Sequence, residues 1–537
     1  MTYTTARKQG SVALTKVMSA TEAAHLVRDG DTVLVDGSGG GVNEPGLVLL
    51  ALADRFLRES HPTRLTIVHP SGIGDGQGGG IDYLAHPGLV SRVIGGHWNW
   101  CSRMQALATS EQIEAYCLPQ GVISHLFRAI AGGKPGVFTH VGLGTFVDPR
   151  IDGGRLNAKA KDQLVETIEI RGREYLFYPS FKVDVAIIRG TTADAFGNIT
   201  MEGEGLYAET LAAAQAARNS GGRVIAQVKT LVKAGELDPR IVKVPGTVVD
   251  AVVVNPDQRL SFLTQQDPSL TGALRVSSTD IPALPLNERK IIARRAAFEL
   301  HSGDVANLGY GMPDGVATVL AEEGLSDHVT FTLEQGHYGG VPATGADFGM
   351  ARNQMAMIDA GAQFDFYDGG GLDVAVLSFA QVDPKGNVNV SKFGGRIAGI
   401  GGFVNIAQGA KRVVFVGTLR AGKQTVSITG DGISVQHEAK SPKFVSAVEQ
   451  ISFGGAYALQ REVPVTYVTE RAVFELAEDG LVLTEVAAGL DLERDVLQQM
   501  EFRPRIAAAL KTMDARLFAT MPMGLQLAPR PAGTERY

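Results

Sequence analysis

A single glutamate stands at the end of an apolar, β-rich run in VTFTLEQGHYGGVPATG, Val329 to Gly345. The run delivers Glu334, and Gly336, Gly339 and Gly340 follow at once. Glycine lets the backbone turn with positive φ and lets a ligand come close to the main chain. A carboxylate there is expected at a strand terminus in a glycine-lined crevice, where ligands of α/β sheets bind. Spacing alone leaves the matter open, because most loop glutamates are simply solvated.

Other enzyme signatures fail on their chemistry. GTLRAGKQT at Gly417 has the G-x-x-x-x-G-K spacing, but Gln424 stands where a phosphate loop needs a Ser or Thr for magnesium. An ordinary strand-end turn is the better reading. No serine sits in G-x-S-x-G, which removes the usual hydrolase elbow. The eleven histidines show no H-E-x-x-H spacing, so a catalytic metal site finds no support.

The elements that must position Glu334 alternate along the whole chain. DTVLVDG, RLTIVHP, VDVAIIRG and RVIAQV read as buried strands in the first half, and DVANLGYG, DVAVLSF and RVVFVGTL in the second. Helix-like stretches lie between them, such as Thr21 to Arg28, Tyr207 to Arg218 and Asn287 to Leu300. This alternation predicts an α/β fold with mostly parallel sheet. The 65 glycines cluster at strand ends, as in GSGGG at Gly37, GGH at Gly95, GLGT at Gly142, GYG at Gly309 and GIGG at Gly399. Ligands of open α/β sheets sit at the carboxyl ends of strands, so the glycines point to a binding cleft.

With 537 residues the chain exceeds what one core organises, and two large domains are expected. Apolar residues make up 44% and charged residues 20%, as in a packed protein. The net charge of −7 gives no reason to bind nucleic acid or an anionic membrane. No apolar run nears the roughly 20 residues that span a bilayer, and MTYTTARKQG lacks a signal-peptide core. The two cysteines, Cys101 and Cys117, are too few for a disulfide framework, read as core residues and fit a reducing cytoplasm.

The two halves repeat one another. VDVAIIRGTTADAFGN, Val183 to Asn198, aligns without gaps to LDVAVLSFAQVDPKGN, Leu372 to Asn387. A weaker pair, AAHLVRDGD at Ala23 and AAFELHSGD at Ala296, precedes it in the same order. The join is expected in RVSSTDIPALPLNERK, residues 275–290, giving domains 1–274 and 291–537. The last stretch, LAPRPAGTERY, is expected to fray or to lie on the surface.

Over nearly its whole length the sequence resembles the family I coenzyme A transferases. TLEQG is similar to the family's short E-x-G active-site segment. VANLGYGMPDGVATVLAEEG, GGGLDVAVLSFAQVDPKGNVNVSKF and GIGGFVNIAQGAKRVVFVGT resemble motifs of its β-type half. GSGGGVNEPG, the stretch from Leu118 to Arg150 and EYLFYPSF resemble its α-type half. GGHW, LPQG, TFVDPR and YPSF together are most similar to the single-chain acetate/propionate type. The resemblance implies two similar α/β domains fused in one chain, with the active site between them.

It also implies roles. Glu334 matches the nucleophilic glutamate, which forms a glutamyl-CoA thioester in a ping-pong transfer of CoA between a short-chain acyl-CoA and a free carboxylic acid. Gln120 matches an oxyanion-hole glutamine. The backbone of Gly401, with Gly402 next to it, matches a second oxyanion and CoA-binding motif. Gln335 stands where many relatives have Asn, and Phe403 where some have Ala. Lys392 and Arg396 are candidates for CoA phosphates, though surface solvation is the commoner fate of such residues. Coenzyme A is expected as substrate, with no permanently bound cofactor or metal, and a homo-oligomer is expected. Two rivals share the same sequence evidence: an acyl-CoA hydrolase on this fold, and a non-catalytic acyl-CoA-binding protein.

Overall fold

A computed structural model describes residues 16–277 and 283–531. MTYTTARKQG, residues 278–282 of the expected join, and the final six residues lie outside the described residues.

Every run read above as a strand is one. In the first half Thr32–Val35, Leu65–His69, Val185–Asp194 and Arg223–Val232 belong to one nine-stranded sheet. Its parallel body runs in the spatial order Ala251–Val254, Arg223–Val232, Val185–Asp194, Thr32–Val35, Leu65–His69, Val90–Gly95, Glu114–Cys117. The second half forms a ten-stranded sheet. Its parallel part runs Thr330–Leu333, Val305–Leu308, Val374–Ser378, Val413–Val416, Val465–Val468. Both sheets bury β-branched strands on two faces, as parallel sheets require.

The sequence repeat is therefore a repeat of hydrogen bonds. Asp184 Oδ2 accepts from Thr32 N at 3.0 Å, and Asp373 Oδ2 accepts from Val305 N at 3.0 Å. Each carboxylate ties a strand start to the adjacent strand. After each strand an Asp closes a turn on an Asn: Asn198 Nδ2 donates to Asp194 at 3.0 Å and Asn387 Nδ2 to Asp383 at 2.9 Å. Gly197 (φ 84°) and Gly386 (φ 74°) take the left-handed position inside those turns. The weaker pair also holds, with Asp31 accepting from Arg28 N and Asp304 from His301 N, both at 2.8 Å.

Helix boundaries differ modestly from the reading. The stretch from Thr21 condenses to a short helix, Ala20–Ala24, capped by Ser19 and Glu22. Thr210–Asn219 and Glu288–Ala297 lie within the expected spans but for one residue, Asn219. Glu288 falls inside the expected join, with Asn287 as its N-cap, so the polar connection turns helical before residue 290. Of the two expectations for the tail, the surface one holds: Ala528 to Pro531 are exposed, and they are tied down where Ser302 N donates to Ala528 O at 2.8 Å and Arg530 pairs with Asp373 at 2.8 Å.

The halves share a core. One continuous apolar cluster runs from Ala23 through the first sheet to Phe364, Phe403, Phe415 and Tyr467 of the second half. Helix Gln120–Ala131 packs against Ala360–Asp368 and Phe403–Gly409. Bonds from main-chain N–H groups to side-chain amides join them as well. Asn405 Oδ1 accepts from Gly121 N at 3.1 Å, and Gln408 Oε1 accepts from Gly142 N at 2.8 Å.

Candidate active site

Glu334 sits at the tip of a tight hairpin. The strand Thr330–Leu333 reverses into His337–Tyr338, with Leu333 opposite His337, so Glu334, Gln335 and Gly336 make the turn. Gly336 N donates back to Leu333 O at 3.0 Å. Gly336 has φ 108°, and a Cβ there would lie 2.0 Å from Ile358 O. Only glycine fits, and that is the physical content of the E-x-G spacing.

Gln120 reaches the same place from the first half. Strand Glu114–Cys117 ends, Pro119 turns the chain, and Gln120 opens the helix Gln120–Ala131. Its side chain is almost fully buried yet caps nothing, and Oε1 has no hydrogen-bond partner among the described residues.

GIGG of the second half is sewn to GGH of the first. Ile400 N and Gly401 N both donate to Gly96 O, at 3.0 and 2.7 Å, and Gln120 N donates to Gly401 O at 2.9 Å. A Cβ on Gly401 (φ 53°) would lie 3.6 Å from Gln120 Oε1 and 3.9 Å from Glu334 Oε1. One on Gly402 would lie 3.1 Å from Glu334 Oε2. All four expected site residues therefore meet within one constellation. One detail departs from the expectation. The Gly401 N–H is engaged by Gly96, whereas the Gly402 N–H has no acceptor among the described residues.

These residues line a cavity of about 460 Å³ between the halves. Burial pushes the Glu334 carboxyl up to about 7, opposed only by the Gln335 amide, whose Nε2 is 3.4 Å from Oε1. His97, also on the wall, is pushed down to about 4 by burial and by neighbouring His69 and Arg396, so it is neutral. An aromatic wall comes from Trp100, Tyr310 and Phe348, packed edge to face at 6.3 and 5.0 Å. Phe379, Phe393, Phe403 and Lys443 line the same cavity.

Sequence reading missed His97, Trp100, Tyr310, Phe348 and Lys443 as wall residues. The glycine clusters were the available signal, because Gly39 and Gly72 leave the room that the Trp100 ring fills. Arg396 lines the cavity and donates to Asn99 Oδ1 at 2.5 Å. Lys392 instead donates to Leu156 O outside it. The rejected phosphate loop is a turn: Gln424 pairs with Glu470 and Arg471. Cys101 and Cys117 are free and fully buried, with both thiols pushed upward by burial. Among the described residues no cluster of His, Cys, Asp or Glu is arranged to hold a metal ion, and no helix is long and apolar enough to cross a membrane.

Comparison with known proteins gives the family. Residues 17–255 match the family model described as coenzyme A transferase. The caffeate CoA-transferase of Acetobacterium woodii is 47% identical over 94% of this chain and 98% of its own. The acetate CoA-transferase YdiF of Escherichia coli K12 is 44% identical over 95% of this chain and 96% of its own. The crystal structure of the acyl-CoA transferase YdiF apoenzyme from E. coli O157:H7 superposes with a TM-score of 0.93 at 42% identity, over 97% of this chain and 99% of that one. The chain belongs to the coenzyme A transferase family and is an enzyme of that class.

Proposed function

We propose that the enzyme transfers CoA between a short-chain acyl-CoA and a free carboxylic acid, with Glu334 as covalent nucleophile. A Glu334 oxygen attacks the thioester carbonyl, the C–S bond breaks, and CoA thiolate leaves an acyl–glutamyl anhydride. The thiolate then attacks the Glu334 Cδ and expels the first acid as its carboxylate. The resulting glutamyl-CoA thioester is attacked by the second acid, and the steps run in reverse. An anhydride keeps the thioester's free energy, which a serine ester would dissipate.

The observation that carries this reading is the convergence of Glu334, Gln120 and Gly402 on one enclosed cavity. The Gln120 amide and the Gly402 N–H are the donors for the oxyanion, each expected to contribute on the order of 10²–10³ in rate. Gly401 acts by fixing Gln120 through its carbonyl. Closure between two halves keeps water from the anhydride. A relative of 42% identity has a structure described as a thioester complex with CoA, which supports the same chemistry here.

Intact-protein mass spectrometry after incubation with acetyl-CoA or propionyl-CoA tests the mechanism. A CoA adduct on Glu334, absent from Glu334→Ala, is expected. Folded protein that forms no adduct with any short acyl-CoA refutes it, and release of free CoA despite an added acid indicates a hydrolase. Acetate, propionate and caffeate offered as acceptors decide the acid, with the short acids expected to be preferred. We further assign the enzyme to the cytoplasm, on the two buried free thiols, and to a homo-oligomer, to be measured by light scattering.

A further inference from the structure

Helix Gln120–Ala131 packs along helix Thr210–Asn219. Beside them lie two carboxyl groups that the mechanism above does not use. Asp36 follows the strand Thr32–Val35, and Glu209 immediately precedes the second helix. Both residues are buried, Asp36 completely. Their carboxyl groups are in hydrogen-bonding contact with one another. Among the described residues neither forms an ion pair with Lys, Arg or His.

The contacts form a chain that ends at Gln120. Thr210 Oγ1 lies 2.8 Å from Tyr207 O and 2.6 Å from Asp36 Oδ2. Asp36 meets Glu209, Glu209 Oε1 meets Ser124 Oγ, and Ser124 Oγ lies 3.0 Å from Gln120 O. Each contact needs one proton. Carbonyls supply none and each hydroxyl supplies one, so the contact between the carboxyl groups needs a proton on one of them. Burial and the Asp36 charge push Glu209 well above the usual carboxylate range, with the Ser124 bond acting against the shift. Asp359, from the helix packed on the other side, adds to the rise and is itself drawn by Lys243 and Arg128. His125 and Arg128 of the Gln120 helix turn instead to Asp365, at 3.0 and 2.5 Å.

We propose that Asp36 and Glu209 share one proton and act through Ser124 as positioning residues for Gln120. The inference rests on the reading of Gln120 as an oxyanion donor in CoA transfer. Gln120 Oε1 has no hydrogen-bond partner among the described residues, so the amide is aimed by its own main chain. Gly401 O holds the Gln120 N–H at 2.9 Å on one side, and Ser124 holds the carbonyl on the other. With the shared proton in place the pair carries one charge, and Ser124 stays between Glu209 and Gln120. Without it two buried carboxylates repel, and Glu209 moves off and draws the Ser124 hydroxyl with it.

Steady-state kinetics of the full-length protein with acetyl-CoA and propionate test it. Ser124→Ala keeps both carboxyl groups and removes the link. It should lower kcat about tenfold and leave both KM values unchanged, because a misplaced donor is felt in the transition state. Glu209→Ala should do the same, and Glu209→Gln should restore most of the loss, since a neutral amide supplies the missing proton. Above the ionisation of Glu334, wild-type kcat should fall on the alkaline side as the pair loses its proton. That alkaline limb should be absent from Glu209→Gln, a change that a packing role does not produce. Wild-type kcat in folded Ser124→Ala, or an unmoved alkaline limb in Glu209→Gln, overturns the positioning role and leaves the transferase reading intact. A wild type that turns over no acyl-CoA overturns that reading instead, and infrared spectroscopy then decides the shared proton without turnover. A protonated-carboxyl C=O band missing from Glu209→Gln at neutral pH supports it, and identical bands in the two proteins overturn it.

Discussion

Glu334 carries two opposed demands. Burial raises its basicity, which strengthens an ionised carboxylate as a nucleophile but leaves much of it protonated near neutrality. For the free enzyme, kcat/KM should therefore climb with pH and level off above about 7. A flat profile from pH 5 to 8 would contradict the assignment. Stability moves the other way. The folded pKa lies above the unfolded one, so the fold bears its full penalty above about 7 and none below the usual carboxylate range. Glu334→Gln should thus raise the melting temperature at pH 8, and the gain should vanish near pH 4.5. Gln120→Ala should lower kcat about 10²–10³-fold. Since the Gln120 side chain makes no hydrogen bond among the described residues, that variant should melt within a few degrees of the wild type.

At the scale of elements, the site is made of strand ends, turns and the first residues of two helices. The hairpin tip holds Glu334 only because Gly336 accepts φ 108° against Ile358 O. Gly336→Ala adds a Cβ 2.0 Å from that oxygen, so the tip must shift. We expect a loss of about 2 kcal/mol or more, with activity lost even in protein that stays folded. Urea denaturation and turnover measured on one sample check both. The E-x-G spacing was legible because it states this backbone need directly. His97 and Trp100 were not legible as site residues, because nothing local in GGHWNW, residues 95–100, says that the second half will close over it.

For the whole molecule, the proposed mechanism makes catalysis depend on the seam. Gly96 O, Gln120 N and Gly121 N of the first half bond to Gly401 and Asn405 of the second. Asn405 also donates to Asp368 at 2.9 Å. Asn405→Ala leaves Gly121 N–H and that carboxylate short of a partner inside the seam, a cost of roughly 2–3 kcal/mol. It should lower stability, and it should lower kcat as well, since Gly121 follows Gln120. Unchanged kcat at a lowered melting temperature would show that the seam merely holds the halves together.

The α/β class, the repeat and the glycine-bounded strand ends follow from local pattern. Burial on both faces of a parallel sheet demands apolar runs, and turns demand glycine or aspartate at fixed offsets. The Asp–Asn turns at Asp194 and Asp383 are the clearest case, because the bonds that close them span four residues. What lies across the seam has no such local trace. Glu334 and Gln120 are far apart in sequence, and their approach depends on three glycine-rich loops meeting at van der Waals distance. The sequence determined that a carboxylate after a strand and a glutamine were available. Only the tertiary structure decided that Gly401 is engaged by Gly96, that Gly402 is the amide left over, and that burial between the halves lifts Glu334 to about 7. Those properties come from what surrounds each group in space, and chain neighbours supply little of it.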